Sequence, residues 1–247
     1  MKLVVLGSTG YHPNDRRQTA CYMLPELGVV FDAGSGFYRV RKHLQTDSLD
    51  VFLSHAHLDH VFGLTFLFDT LHESSLKEVR VHAEPVKLQA LSDHLFSPPL
   101  FPTRPPFTEV PLTGPVKLRD GSELLHFPLE HPGGSCGFRV NFADGKSLAY
   151  VTDTVARADA PYIEHIREVD ILIHECYFPN GYEKLAQQTG HSCTTPVAEL
   201  AVAANVGFLV LIHMNPLDEG DDPVGLAVAK AIFPETIQAE DGMELEF

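Results

Sequence analysis

The stretch from Asp50 to His60, DVFLSHAHLDH, limits the fold more than any other part of the chain. Its first half is apolar on both faces. A strand tolerates that only when both sides of its sheet are covered, as in the parallel interior of an α/β fold. Its second half packs three histidines and an aspartate into the six positions His55–His60. Imidazole nitrogens and carboxylates are the usual ligands of Zn2+ and also suit Mn2+ or Fe2+. His55 and His57 stand two apart, so in an extended segment they point the same way. Asp59 and His60 lie past the strand end, where a loop or helix start can turn them back toward the same point.

Matching groups recur at the ends of other predicted strands: His131 after LLHFPLE, Asp153 after SLAYVT and His213 after FLVLI. Strand ends gather along one sheet edge, where α/β folds place their sites. The set divides into His55, His57 and His131 for one ion and Asp59, His60 and His213 for a second. Asp153 bridges them through its two carboxylate oxygens.

Strands are predicted at KLVVLGS, GVVFDAG (closing on turns at Gly34 and Gly36), DVFLSH, EVRVHA, DILIHE, GFLVLIH and MELEF. GSELLHFPLEH, CGFRVNF and KSLAYVTD read as antiparallel strands turning at Gly133-Gly134 and Asp144-Gly145. Helices are expected over FYRVRKHL, DHVFGLTFLFDTL, EPVKLQALSDHLF, APYIEHIREV, TTPVAELAVAANV and DPVGLAVAKAIF, with Pro85 in a first turn and Thr194 or Thr195 as a cap. SPPLFPTRPPF holds five prolines in eleven residues and is read as an ordered surface loop, at a rim or an oligomer contact. The alternation in two similar halves implies two packed sheets with helices outside, an α/β four-layer αββα sandwich formed as one domain over residues 1–247.

The totals narrow the function. No apolar stretch reaches the roughly 18 residues of a membrane span, and the start reads as a strand rather than a signal peptide. The four cysteines are far apart and form no CxxC pair, which implies reduced, buried thiols and a cytoplasmic setting. A net charge of −15 opposes polyphosphate partners unless bound cations intervene.

The HxHxDH motif at His55–His60, with His131, Asp153 and His213 following in order, resembles the metallo-β-lactamase superfamily of binuclear metallohydrolases. IHECYF (173–178) and GHSCTTPVAELAVAANV (190–206) narrow the resemblance to the ribonuclease Z and phosphodiesterase branch. The opening GSTGYHPNDRRQTACY and the closing AEDGMELEF are similar too, so the resemblance covers nearly the whole chain. One departure stands out. Ribonuclease Z inserts a tRNA-gripping arm between the third and fourth metal motifs, whereas His131 to Asp153 spans only 22 positions here. MNPLDEGDD after His213 is acidic and lacks the arginine and tyrosine expected there.

The resemblance implies two divalent ions, zinc first and manganese or iron as alternatives, sharing a hydroxide that attacks phosphorus in line. Asp59 orients the hydroxide and takes its proton. His191 donates to the leaving oxygen, and Glu175 holds His191 in the required tautomer. The expected substrate is a small or cyclic phosphodiester. Precursor tRNA is disfavoured, no membrane is involved, and a homodimer is in keeping with related enzymes, which often pair. The alternatives are a ribonuclease Z-like endonuclease working without the arm and a thioester or lactone hydrolase of the same fold. A non-catalytic binding protein and a redox di-iron enzyme complete the list. His174 reads as a buried core residue. His12, His43, His72, His82, His94, His126 and His165 read as surface or packing residues. Arg16, Arg17 and Arg104 read as solvated surface, and Asp32 and Ser35 as holding the loop under the ligand-bearing strand.

Overall fold

A computed structural model describes all residues, 1–247. The chain divides into two compact units, residues 1–13, 17–113 and 240–246 in one and 14–16, 114–239 and 247 in the other. The first holds β1 (Lys2–Gly7), β2 (Cys21–Leu24), β3 (Val29–Phe31), β4 (Ser48–Phe52), β5 (Glu78–Ala83) and β6 (Thr108–Pro111). The last strand, β14 (Glu244–Glu246), returns to pair with β1, giving the order β14-β1-β2-β3-β4-β5-β6. The second unit lays β7 (Val116–Lys117), β8 (Glu123–Leu129), β9 (Ser135–Asn141), β10 (Ser147–Val151), β11 (Ile171–Glu175), β12 (Phe208–Ile212) and β13 (Thr236–Gln238) side by side in chain order.

Each seven-stranded sheet is mixed, and both change direction the same way. Pairing is antiparallel up to β3 in the first and β10 in the second, then parallel through β3-β4-β5-β6 and β10-β11-β12-β13. The central parallel strands are buried almost throughout, as their unbroken apolar runs require.

Helices are short: α1 (Leu58–Val61), α2 (Leu67–Leu71), α3 (Pro85–Ala90), α4 (Ile163–Ile166), α5 (Glu183–Thr189), α6 (Thr194–Ala203) and α7 (Leu226–Ile232). Each unit has its own core. In the first, Val30, Val51 and Val81 meet Leu64 and Leu67. In the second, Leu172, Leu209 and Leu211 meet Val197, Leu200 and Ala201 of α6.

Several expected helices are interrupted, for identifiable reasons. DHVFGLTFLFDTL breaks into α1, a 3₁₀ stretch over Phe62–Phe66 and α2. Gly63 N–H leaves the helical ladder to bond Ala33 O at 2.7 Å. APYIEHIREV keeps only α4, because Glu168 N–H turns away to Ala204 O at 2.8 Å. FYRVRKHL winds as a 3₁₀ helix over Ser35–His43, and EPVKLQALSDHLF passes from α3 into a π turn over Leu91–Leu95. Neither expected threonine caps α6. The N-cap is Cys193, the buried Thr194 hydroxyl bonds Val224 O, and Asn180 Oδ1 accepts the Thr195 N–H at 3.0 Å. The proline-rich loop carries no regular structure; its Phe101 and Phe107 pack on the first core.

Candidate metal centre

In the first unit, β4 runs out through Leu53 and Ser54 to the histidine cluster. His55 and His60 are buried, while His57 is exposed at the N-cap of α1. The His55 ring lies 4.4 Å from that of His57 and 4.2 Å from that of His60, centroid to centroid. Asp59, in the first turn of α1, accepts the Tyr11 N–H at 2.7 Å and stands 3.3 Å from His60 Nε2.

The protonation of these rings is set by Asp32, fully buried just past β3. Its carboxylate accepts Ser54 N–H at 2.7 Å, Ser54 Oγ–H at 2.8 Å and His60 Nδ1–H at 2.8 Å. Since an ionised carboxylate only accepts, the His60 proton sits on Nδ1 and the Nε2 lone pair faces Asp59. Ser54 spends its own proton on Asp32, so its oxygen receives Nδ1–H of His55 at 2.9 Å, leaving Nε2 of His55 as the donor atom. Asp32 holds a positive φ of 56°, an uncommon conformation for a non-glycine residue and a cost that clusters at functional positions.

The second unit has a cluster of its own. Asp153, after β10, points Oδ2 at His131 Nε2 (3.5 Å) and Oδ1 at His213 Nε2 (3.2 Å). Asp153 and His213 also have positive φ, 42° and 56°. His131 gives its Nδ1–H to Gly190 O at 2.9 Å, which fixes the lone pair on Nε2. Gly190 ends α5 at φ 77°, and a Cβ there would lie 2.8 Å from His131 Nδ1. The glycine therefore serves both the turn and the close approach to the imidazole.

His191 Nδ1 lies 3.1 Å from Glu175 Oε1, and the donor atoms of Asp153, His191 and His213 lie within 4.8 Å of one another. Glu175 is fully buried and also accepts the backbone N–H groups of Thr154, Tyr177 and Ser192. Tyr177 stacks on the His191 ring at 4.6 Å. His174 sits in the core between Tyr162 Oη (2.9 Å) and Glu175 O (2.7 Å), as expected for a packing residue, and burial lowers its pKa.

The donor atoms within each unit are of the kinds that suit divalent ions. Nδ1–H of His55, His60 and His131 is tied to an oxygen acceptor in each case, so Nε2 is the atom presented, and Asp59 and Asp153 add carboxylate oxygens. Asp32 holds the loop under the ligand-bearing strand, as expected, through Ser54 and His60; the part played by Ser54 was not legible beforehand, because it meets Asp32 across 22 positions.

One arginine differs from expectation. Arg17 is buried, 1% exposed, and pairs with Glu240 at 3.0 Å. That acid, 223 positions away, offsets the charge and makes burial tolerable. Arg104 packs over Phe107 and Phe96 and pairs with Glu109, and Arg16 pairs with Asp221. Ser35 secures Thr19 rather than the ligand strand. All four cysteines are buried and free.

The sequence profile of a family described as "Beta-lactamase superfamily domain" matches residues 28–214, and the chain belongs to that family. With the two mixed sheets, this makes it a metal-dependent hydrolase of the metallo-β-lactamase fold. The metallo-beta-lactamase fold protein YhfI from Bacillus subtilis superposes with a TM-score of 0.81 at 20% identity, covering 100% of this chain and 99% of that one. The human short-form tRNase Z gives 0.76 at 22% identity, covering 100% and 99%. At these identities the likeness concerns the fold. A ribonuclease Z of Archaeoglobus fulgidus is 26% identical over 299 residues, covering 99% of this chain and 97% of its own. That alignment is longer than the 247 residues here, so the relative carries stretches without a counterpart. No helix is long and apolar enough to cross a membrane.

Proposed function

We propose that the chain is a binuclear phosphodiesterase acting on a small or cyclic phosphodiester. His55, His57, His131 and Asp153 would hold one ion, and Asp59, His60, His213 and Asp153 the second; zinc suits the nitrogen-rich set best, with manganese or iron as alternatives. We read 1–247 as a single hydrolase domain. When bound, the ions supply Lewis acidity that lowers the pKa of water and offsets charge on the phosphoryl oxygens. Asp59 takes the proton of the attacking water. His191 acts as the imidazolium: its Nδ1–H is given to the Glu175 carboxylate, which stabilises the charged ring, and its Nε2 proton goes to the departing oxygen as the P–O bond breaks.

The observation that carries this reading is the Glu175–His191 pair beside Asp153 and His213. A thioester, which loses a weakly basic thiolate, has less need of such an acid than an alkoxide leaving from phosphorus. A second reading, an endonuclease acting on RNA, is favoured by the ribonuclease Z relatives aligned over the full length. The short 131–153 interval and the net charge of −15 weigh against it.

The test combines elemental analysis with one panel of substrates: bis(p-nitrophenyl) phosphate, 2′,3′-cyclic nucleotides, a precursor tRNA and a thioester. The diester is turned over, and His60→Ala or Asp153→Ala lowers the rate at least about 100-fold. His191→Ala lowers kcat on the 2′,3′-cyclic nucleotides, whose leaving oxygen is an alkoxide, about 100-fold or more with metal content unchanged. Loss of metal in that variant would make His191 a ligand. Turnover of the thioester alone would overturn the phosphoester assignment.

A further inference from the structure

Within the second unit a cavity of about 450 Å³ opens beside His131 and His191. Its apolar lining comes from Pro132, Ala156, Ala186, Cys193 and Pro196. Burial pushes the Cys193 thiol up to about 11, so this part of the wall is neutral. The charged residues of the lining are Glu130, Arg157 and Glu183. Arg157 is already engaged, at 2.8 Å from Glu130 and 3.4 Å from Asp159. Glu183 accepts the Gly181 N–H at 2.8 Å, and that bond, together with one from its own backbone N–H, lowers its pKa and keeps it ionised.

We infer that this cavity is the subsite for the leaving group, and that it takes a neutral, ring-bearing alcohol of nucleoside or phenol size carrying no second phosphate. The inference rests on the phosphodiesterase reading, which puts the departing oxygen at His191. Three features of the cavity support it. Its volume falls within the roughly 300–1,000 Å³ of small-molecule clefts, which accommodates one such group rather than a run of nucleotides. The apolar lining favours the face of a ring. His191 and the ions at the ligand set are taken up by the scissile phosphate and its departing oxygen, and beyond them two carboxylates stand against one engaged guanidinium, so a second phosphate on the leaving group meets net repulsion.

The metal-loaded full chain is assayed on thymidylyl-thymidine and on the same dinucleotide with an extra terminal phosphate on the nucleoside that is released, with products identified by mass. The extra phosphate lowers kcat/KM at least fivefold. Glu183→Lys narrows that ratio at least threefold. Gln187→Trp, at an exposed lining position of α5, narrows the cavity and raises KM for the dinucleotide at least fivefold. If the wild type cleaves the dinucleotide, yet the extra phosphate carries no penalty and Glu183→Lys changes nothing, the subsite assignment is wrong and the phosphodiesterase reading stands. If no diester is cleaved, the reading beneath it fails as well.

Discussion

Asp32 shows how much one residue can decide. Its two oxygens fix the proton on His60 directly and on His55 through Ser54. Asn at this position keeps the backbone, since Asn tolerates positive φ. It replaces one acceptor with an NH2, however. His60 must then accept at Nδ1 and carry its proton on Nε2, where Asp59 waits 3.3 Å away. The lone pair offered to a cation is lost. Asp32→Asn is expected to lower metal affinity about 10–100-fold, read by chelator competition, with circular dichroism unchanged. Metal retention at the wild-type level would separate Asp32 from the ligand set. Glu175 plays the same part in the other unit: buried at the end of a parallel strand, it accepts three backbone N–H groups and His191.

At the scale of elements, what could be read in advance was whatever rests on local pattern. The apolar run of β4, the antiparallel β8, β9 and β10, and α6 announce themselves within a few residues. The short edge strands do not. β7 and β13 have two and three residues and exist because a neighbour offers a ladder. α5 carried signals, with good helix formers and Gly190 at its end, yet lies between two motifs and was not anticipated. Asp50 illustrates a contact that only pairing creates. On β4 it stands opposite Arg80 of β5, and its carboxylate meets Arg80 at 2.6 Å and His82 at 2.6 Å. Burial alone would raise its pKa, but the hydrogen bonds from Arg80 and His82 prevail and lower it. A depressed carboxyl adds stability that is complete above the unfolded value, about 3.9, and fades as pH falls through the folded one. Asp50→Asn is therefore expected to cost about 1.5–3 kcal/mol near neutrality. In urea denaturation the gap from wild type should shrink below about pH 4, and a gap constant down to pH 2 would contradict the pairing.

For the whole molecule the governing quantity is charge. The net value of −15 acts beyond any single contact, and bound divalent ions offset only part of it near the site. A monoanionic diester small enough to enter a cleft meets mainly the local field. A long polyanion meets the whole surface. Salt separates the two cases by sign, because screening over roughly 10 Å at 0.1 M weakens attraction and repulsion alike. A basic nucleic-acid binder loses affinity steeply as salt rises, through release of counterions. This chain should do the reverse. Between 50 and 300 mM salt, kcat/KM for bis(p-nitrophenyl) phosphate is expected to change less than about twofold, and any cleavage of a precursor tRNA is expected to rise as repulsion is screened. Steady-state rates at fixed metal concentration measure both. RNA cleavage that falls steeply with salt would reveal a basic track gripping the phosphates, and the small-diester reading would give way to the endonuclease.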